Sequence, residues 1–499
     1  MALLASSTSG IFSSCGSLWM GGDTFEVPLE LFAVNRRRLA KRLSRIVDGR
    51  PFVLLQGGSE LPFYDTDLTY HVFRQESFFM WTFGVIESGC YGAVDVISGS
   101  AYLFIPRISD KYQIVWMGVR TLEDFSGRYN IRNVHYCDEM EKVLHNAHPS
   151  VLLTLKGVNS DSGLPVNEAK FPGIEKFSVD NTILYEEIAD LRVFKTDLEI
   201  SVLKYVTEIS SEGHRKVMRY VKGGNKFEYQ CESEFLHHCY SVGGCRQVAY
   251  TSICASARNT AILQYGHADS PNDKMIESDD LCLFDMGASY FGFCSSVGCC
   301  FPASGKFTAD QKLIYEAVLA ASCAVFKACK PGVKWVDIHI LGNQVLLGEL
   351  VKAKLLKGDP EAMTSVGLGA IFQPHGIGHF LGLDVHDVGG YLSSQPPRRG
   401  EPRGIDKLRT ARVLQERMVL CIEPACYFID VLLDEALKDA VLSKFLIPEA
   451  IARFRGFGGV RIVDVIAITK NGAVNFTKVP RTVKDIEKWM AGKDDKKYK

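Results

Sequence analysis

Four short segments place ionisable side chains inside apolar or glycine-rich runs. They are Leu281-Cys282-Leu283-Phe284-Asp285-Met286-Gly287, Pro374-His375-Gly376-Ile377-Gly378-His379, Val419-Leu420-Cys421-Ile422-Glu423-Pro424 and Gly458-Gly459-Val460-Arg461-Ile462. A carboxylate in the middle of an apolar strand is costly unless it is paired or bound to a cation. One such position reads as an ion-paired core acid. Several, with a Gly-rich histidine pair and a buried-looking arginine, read as a site, and the fold must bring the segments together.

The chain has 499 residues, against a usual domain size of roughly 100–200, so at least two domains are expected. Its character changes near residue 190, which divides it into 1–190, 191–490 and a Lys-rich tail, 491–499. The composition is 46% hydrophobic and 23% charged, with a net charge of −1. No basic cluster with interleaved aromatics suggests a nucleic-acid surface, and no apolar run of about 18 residues suggests a membrane span. Arg36-Arg37-Arg38 falls in a helical pattern from Leu31 to Ile46 and reads as a solvated helix face. There is no basic residue before Arg36, unlike a signal or transit peptide. Fifteen cysteines without paired spacings predict reduced thiols in a cytoplasmic chain.

The first third alternates strands and helices. Phe52-Val53-Leu54-Leu55 reads as a strand, and Tyr91–Val96 with Ala101–Ile105 reads as a hairpin around Ser98-Gly99-Ser100. Thr196 or Asp197 can cap a long helix that ends at Gly223-Gly224, and a second helix follows from Phe227 to Tyr240. Thr308 with Gln311 is a capping box for a helix running to Lys330. Residues 395–408 read as a surface loop.

Phe284-Asp285-Met286-Gly287, Gly305–Lys312, His379-Phe380-Leu381-Gly382, Asp384–Gly390 and Arg453–Arg461 together resemble prolidase, the Xaa-Pro dipeptidase group of the pita-bread metallopeptidase family, over Phe25 to Met490. The resemblance implies an α/β (α+β) fold. A mixed α/β domain of the aminopeptidase P and prolidase type precedes a C-terminal pita-bread domain, in a homodimer. Active members cleave dipeptides ending in proline, using two Mn ions.

The family's ligands are two aspartates, a histidine and two glutamates. Asp285, His379 and Glu423 fall on three of them, but Ser296 and Val463 stand where the two metal-bridging carboxylates belong. Two dications ~3.5–4 Å apart repel by roughly 15–20 kcal/mol even at an effective dielectric near ~20, and bridging anions offset that repulsion. Without them, Asp285 alone faces one metal while His379 and Glu423 face the other, short of the three protein ligands usual in a catalytic site. Asp464 adjoins Val463 but needs a bulge to reach the same face. Cys294, Cys421 and Cys426 suggest a thiolate–zinc set or, more simply, small buried hydrophobes.

Of the substrate-binding positions that the resemblance implies, His386, Arg409, Arg461 and Trp116 are present, Trp116 at a position that reaches the partner subunit's site. Arginine suits a proline carboxylate. His375 matches too, as the catalytic candidate. Gln264 replaces a family histidine and cannot carry a proton; His267 is the next imidazole. The expectation is a prolidase-like protein with hydrolysis lost or impaired and no metal, or a partial site. It binds proline-ended dipeptides as a homodimer, or pairs with an active paralogue in a heterodimer. The alternatives are a working Xaa-Pro dipeptidase with an altered, mononuclear site, metal-free hydrolysis through His379 or His375, and a purely structural role.

Overall fold

The computed structural model describes residues 12–13, 16–69, 72–108, 111, 115, 121–266 and 271–493. Trp116, His267 and residues 494–499 of the Lys-rich tail lie outside them. Two compact units divide the chain, residues 1–202 and 203–499, with the boundary inside a long helix.

In the first unit the expected apolar strand is the centre of β1 (Pro51–Gln56), buried from Pro51 to Leu55. The expected hairpin is β2 (Tyr91–Asp95) with β3 (Ala101–Ile105). Asp95 closes its turn by accepting the amides of Ile97 and Ser98 at 3.0 and 3.3 Å. With β4 (Asn133–Tyr136), β5 (Val151–Thr154) and β6 (Val179–Asp180) they form a mixed sheet of order β4-β3-β2-β1-β5-β6. β1 is antiparallel to β2 but parallel to β5. The strand order therefore reverses between β1 and β5.

The arginine triplet departs from expectation. It lies on α1 (Glu30–Leu43), and only Arg37 behaves as a solvated residue, paired with Glu30. Arg36 is buried and donates to the Thr82 carbonyl at 2.9 Å, at the end of α2 (Ser77–Phe83). Arg38 donates to the Leu191 and Phe194 carbonyls at 3.0 and 2.6 Å, at the end of α3 (Leu184–Val193). The last carbonyls of a helix lack intrahelical donors. These two guanidinium groups supply them, which draws two of the three arginines inward.

The second unit begins within α4 (Asp197–Tyr220), whose start is a capping box: Glu199 N donates to Thr196 Oγ1 at 3.2 Å and Thr196 N to Glu199 Oε2 at 2.7 Å. After α5 (Glu228–Ser241), β7 (Ile253–Ser256), β8 (Leu281–Met286) and β9 (Val297–Pro302) form an antiparallel sheet. The Thr308–Gln311 box opens α6 (Ala309–Ala328), which packs on α7 (Trp335–Lys352). A second sheet follows from β10 (Val419–Ile422), β13 (Asp464–Thr469) and β14 (Gly472–Asn475), and β11 (Ala425–Tyr427) pairs with β12 (Gly459–Arg461). The histidine segment runs along β10: Glu423 N donates to the Ile377 carbonyl at 2.9 Å and Cys421 N to that of His379 at 2.8 Å. In residues 395–408 the chain forms a short 3-10 turn, Ile405–Lys407.

Candidate functional site

Sheet register sets the geometry. Asp285 of β8 lies opposite Gly298 of β9, and Gly298 lies opposite Val463. Residues directly opposite in an antiparallel ladder project to the same face. Asp285, Gly298 and Val463 therefore form one row, and a Cβ at Gly298 would lie 2.5 Å from Val463 Cγ2. Alternation turns the next residue, Asp464, to the other face. There Arg481 holds its carboxylate at 2.6 Å and also donates to the carbonyls of Gly298 and Val463 at 2.7 and 2.6 Å. Asp464 belongs to an ion pair behind the row.

Asp285 is buried and positioned through both oxygens. Oδ1 accepts the Tyr250 hydroxyl, which also lies 3.4 Å from Ser296 Oγ. Oδ2 accepts Nε of Arg461 at 2.8 Å, and Arg461 Nη1 donates to the Tyr427 hydroxyl oxygen at 2.8 Å. Tyr427 in turn meets His375 Nε2 at 3.1 Å, while His375 Nδ1 donates to the Gly376 carbonyl at 2.7 Å. In the neutral imidazole that second bond leaves Nε2 as the acceptor of the phenol. A carboxylate, a guanidinium, a phenol and an imidazole thus form one hydrogen-bonded chain. Gly459 makes room for it, because a Cβ there would lie 2.3 Å from the Tyr427 ring.

Burial works against charge on Arg461, but Tyr427, Asp285 and Glu423 outweigh it and hold the guanidinium protonated. Burial lowers the His375 pKa and raises that of Glu423; the two side chains are 4.0 Å apart and each offsets part of the other's shift. His379 Nδ1 donates to the Phe380 carbonyl at 2.8 Å. Its ring stands 4.5 Å from that of His386, edge to face. Burial first, then His379 and Arg409, push His386 down to about 2, so its imidazole is neutral. Arg409 is close enough to act on both His386 and Glu423.

The donors of the row are few. Asp285 offers a carboxylate, Ser296 a hydroxyl and Val463 nothing. Among the described residues, no three His, Cys, Asp or Glu side chains gather where a metal ion could sit. Cys294 donates to the Leu383 carbonyl at 3.5 Å. Burial raises the thiol pKa values of Cys421 and Cys426 and keeps both protonated, as small buried hydrophobes. Gln264 sits in an exposed turn, where the neighbouring Leu263 carbonyl is 3.5 Å from Arg461 Nη1. Sequence reasoning missed Tyr250, Tyr427, Gly298 and Arg481. Of these, only Tyr427 carried a signal: it lies four residues after Glu423, at the end of the strand Ala425–Tyr427 that follows it.

Two family models match: the aminopeptidase P N-terminal domain over residues 32–151 and metallopeptidase family M24 over residues 201–470. The chain belongs to metallopeptidase family M24, with a pita-bread domain behind an aminopeptidase P-type N-terminal domain. Within it the chain is prolidase-like. It is 54% identical to the Xaa-Pro dipeptidase of Homo sapiens over 96% of this chain and 97% of that relative, and 53% identical to that of Mus musculus over the same shares. It is also similar to the solved aminopeptidase PepP of Pseudomonas aeruginosa, with a TM-score of 0.75 and 27% identity, covering 94% of this chain and 99% of that one.

Proposed function

We propose that this chain is a prolidase-like protein whose two-metal hydrolysis is lost or impaired and whose peptide pocket persists. The observation that carries the reading is the row Asp285–Gly298–Val463. The position facing the same way as the remaining aspartate, where the family has a bridging glutamate, holds a side chain without a donor atom. Ser296 beside Tyr250 offers a neutral hydroxyl where the family has a bridging aspartate. The residues present do not fit a pair of Mn ions, since neither bridging anion offsets the repulsion between two dications. One-metal binding by His379 and Glu423 is the most that the donor set supports.

His386, Arg409 and Arg461 are the residues for a proline-ended dipeptide, with His375 placed at the end of the hydrogen-bonded chain. Trp116 belongs to the same reading as a contact to a partner subunit, and Gln264 as a lost imidazole. The protein acts as a cytoplasmic homodimer, or as the binding partner of an active paralogue. Elemental analysis after purification with Mn or Zn, beside a Gly-Pro hydrolysis assay, tests this: neither stoichiometric metal nor proline release is expected. The 54% identity to an Xaa-Pro dipeptidase favours a second reading, a working dipeptidase with an altered metal site. Bound metal with turnover establishes that one instead.

A further inference from the structure

We propose that the N-terminal unit carries a ligand site of its own at the carboxyl ends of β1 and β5, which takes small zwitterions bearing an α-carboxylate and an α-ammonium group. In open α/β sheets, ligands bind outside the carboxyl ends of the strands, where the strand order reverses. β1 and β5 are such a pair: they are parallel neighbours, and the chain continues from β1 to one side and from β5 to the other. A cavity of about 500 Å³ opens there, lined by Gln56 at the end of β1, by Lys156 and Gly157 just after β5, and by Glu168 and Lys170. That size lies within the roughly 300–1,000 Å³ of small-molecule sites.

The walls are held without using the lysine ammonium groups. Gln56 Oε1 accepts the Lys170 amide at 3.2 Å, and the Tyr91 hydroxyl donates to the Lys170 carbonyl at 2.9 Å. The Gly157 carbonyl accepts the Val166 amide at 3.0 Å. Gly157 packs so closely on Tyr185 that a Cβ would come within 2.3 Å of its ring. Glu168 is fixed through one oxygen, Oε1, which accepts from Thr154 at 2.8 Å and Asn181 at 3.0 Å. Against burial, these two bonds and then the charges of Lys156 and Lys170 hold its carboxyl below the usual range. Both lysines are exposed.

Two ammonium groups and one carboxylate leave a single excess positive charge. A ligand carboxylate between Lys156 and Lys170 with its ammonium toward Glu168 satisfies all three groups. A phosphate dianion would face Glu168 as a repelling charge, so the set favours a zwitterion. Free amino acids and dipeptides share this chemistry, and the experiment separates them.

Glycine and glycylglycine are titrated calorimetrically into the full chain carrying Arg409→Ala, so that the carboxylate partner in the second unit is absent. Acetate serves as the single-charge control. Binding of either zwitterion is expected, and whichever binds more tightly fixes the ligand's length. Lys156→Ala or Lys170→Ala should weaken it by about tenfold, the share of one charge-assisted hydrogen bond. Glu168→Gln should weaken the zwitterion by about tenfold but should not weaken acetate, which loses a repelling charge rather than a partner. The lysines are exposed, so an unchanged thermal midpoint confirms that these variants are folded. The proposal is overturned if neither zwitterion binds, or if the double Lys156→Ala/Lys170→Ala variant binds as well as its parent.

Discussion

Val463 and Gly298 face each other across two strands, each donating its amide to the other's carbonyl at 3.2 Å, and the valine side chain fills the space the glycine leaves. The row that begins at Asp285 therefore ends in a hydrocarbon.

A Cβ added at Gly298 has no room. Gly298→Ala should destabilise the protein by about 1–3 kcal/mol through overpacking. Val463→Ala in the same chain removes the 2.5 Å contact to Cγ2 but keeps the 3.0 Å contact to Cβ. It should therefore relieve part of the loss. Urea unfolding of the two single variants and the double variant measures the coupling; simple additivity would mean that the two residues do not press on each other.

Arg481 clamps the row from behind through Gly298, Val463 and Asp464. Arg481→Met leaves the Asp464 carboxylate buried without its cation and should cost about 3 kcal/mol or more. Adding Asp464→Asn should restore part of that loss, because no charge is then left unpaired. A denaturation midpoint unchanged by Arg481→Met would show that the clamp contributes nothing.

Acid should weaken the protein through His339. Its Nε2 accepts from Asn343 Nδ2 at 3.1 Å, and burial pushes its pKa down to about 4. In the unfolded chain the imidazole takes a proton near pH ~6.5. The unfolded state thus binds more protons between these values. The stabilisation is complete above pH ~6.5 and is lost as the pH falls toward about 4, on the order of 3 kcal/mol in all. Unfolding free energies measured across this range should fall with acid, and more shallowly in His339→Gln. Identical slopes would remove His339 from the account.

The sequence was most informative where an effect is local. Caps such as Thr308 with Gln311, the apolar run at Phe52–Leu55 and the turn at Ser98-Gly99-Ser100 depend on neighbours a few residues away, and each stands where its pattern predicts. Ser296 and Val463 were legible because the resemblance assigns them by short offsets from Asp285 and Arg461. Arg36 and Arg38 were misread because their partners, Thr82, Leu191 and Phe194, lie 46 to 156 residues away. Arg481 was invisible for the same reason: it reaches Gly298 from 183 residues further along the chain. Nothing local to Tyr250 indicates that its hydroxyl will meet Asp285.

The most direct test compares manganese titrations of the unaltered chain with those of Ser296→Asp, Val463→Glu and the double variant, each with a Gly-Pro hydrolysis assay. No pair of Mn ions and no proline release are expected from the unaltered chain or from either single variant, because the pair needs both bridging carboxylates to offset its repulsion. The double variant should bind two Mn ions. Two ions bound by the unaltered chain, with proline released, would contradict that expectation.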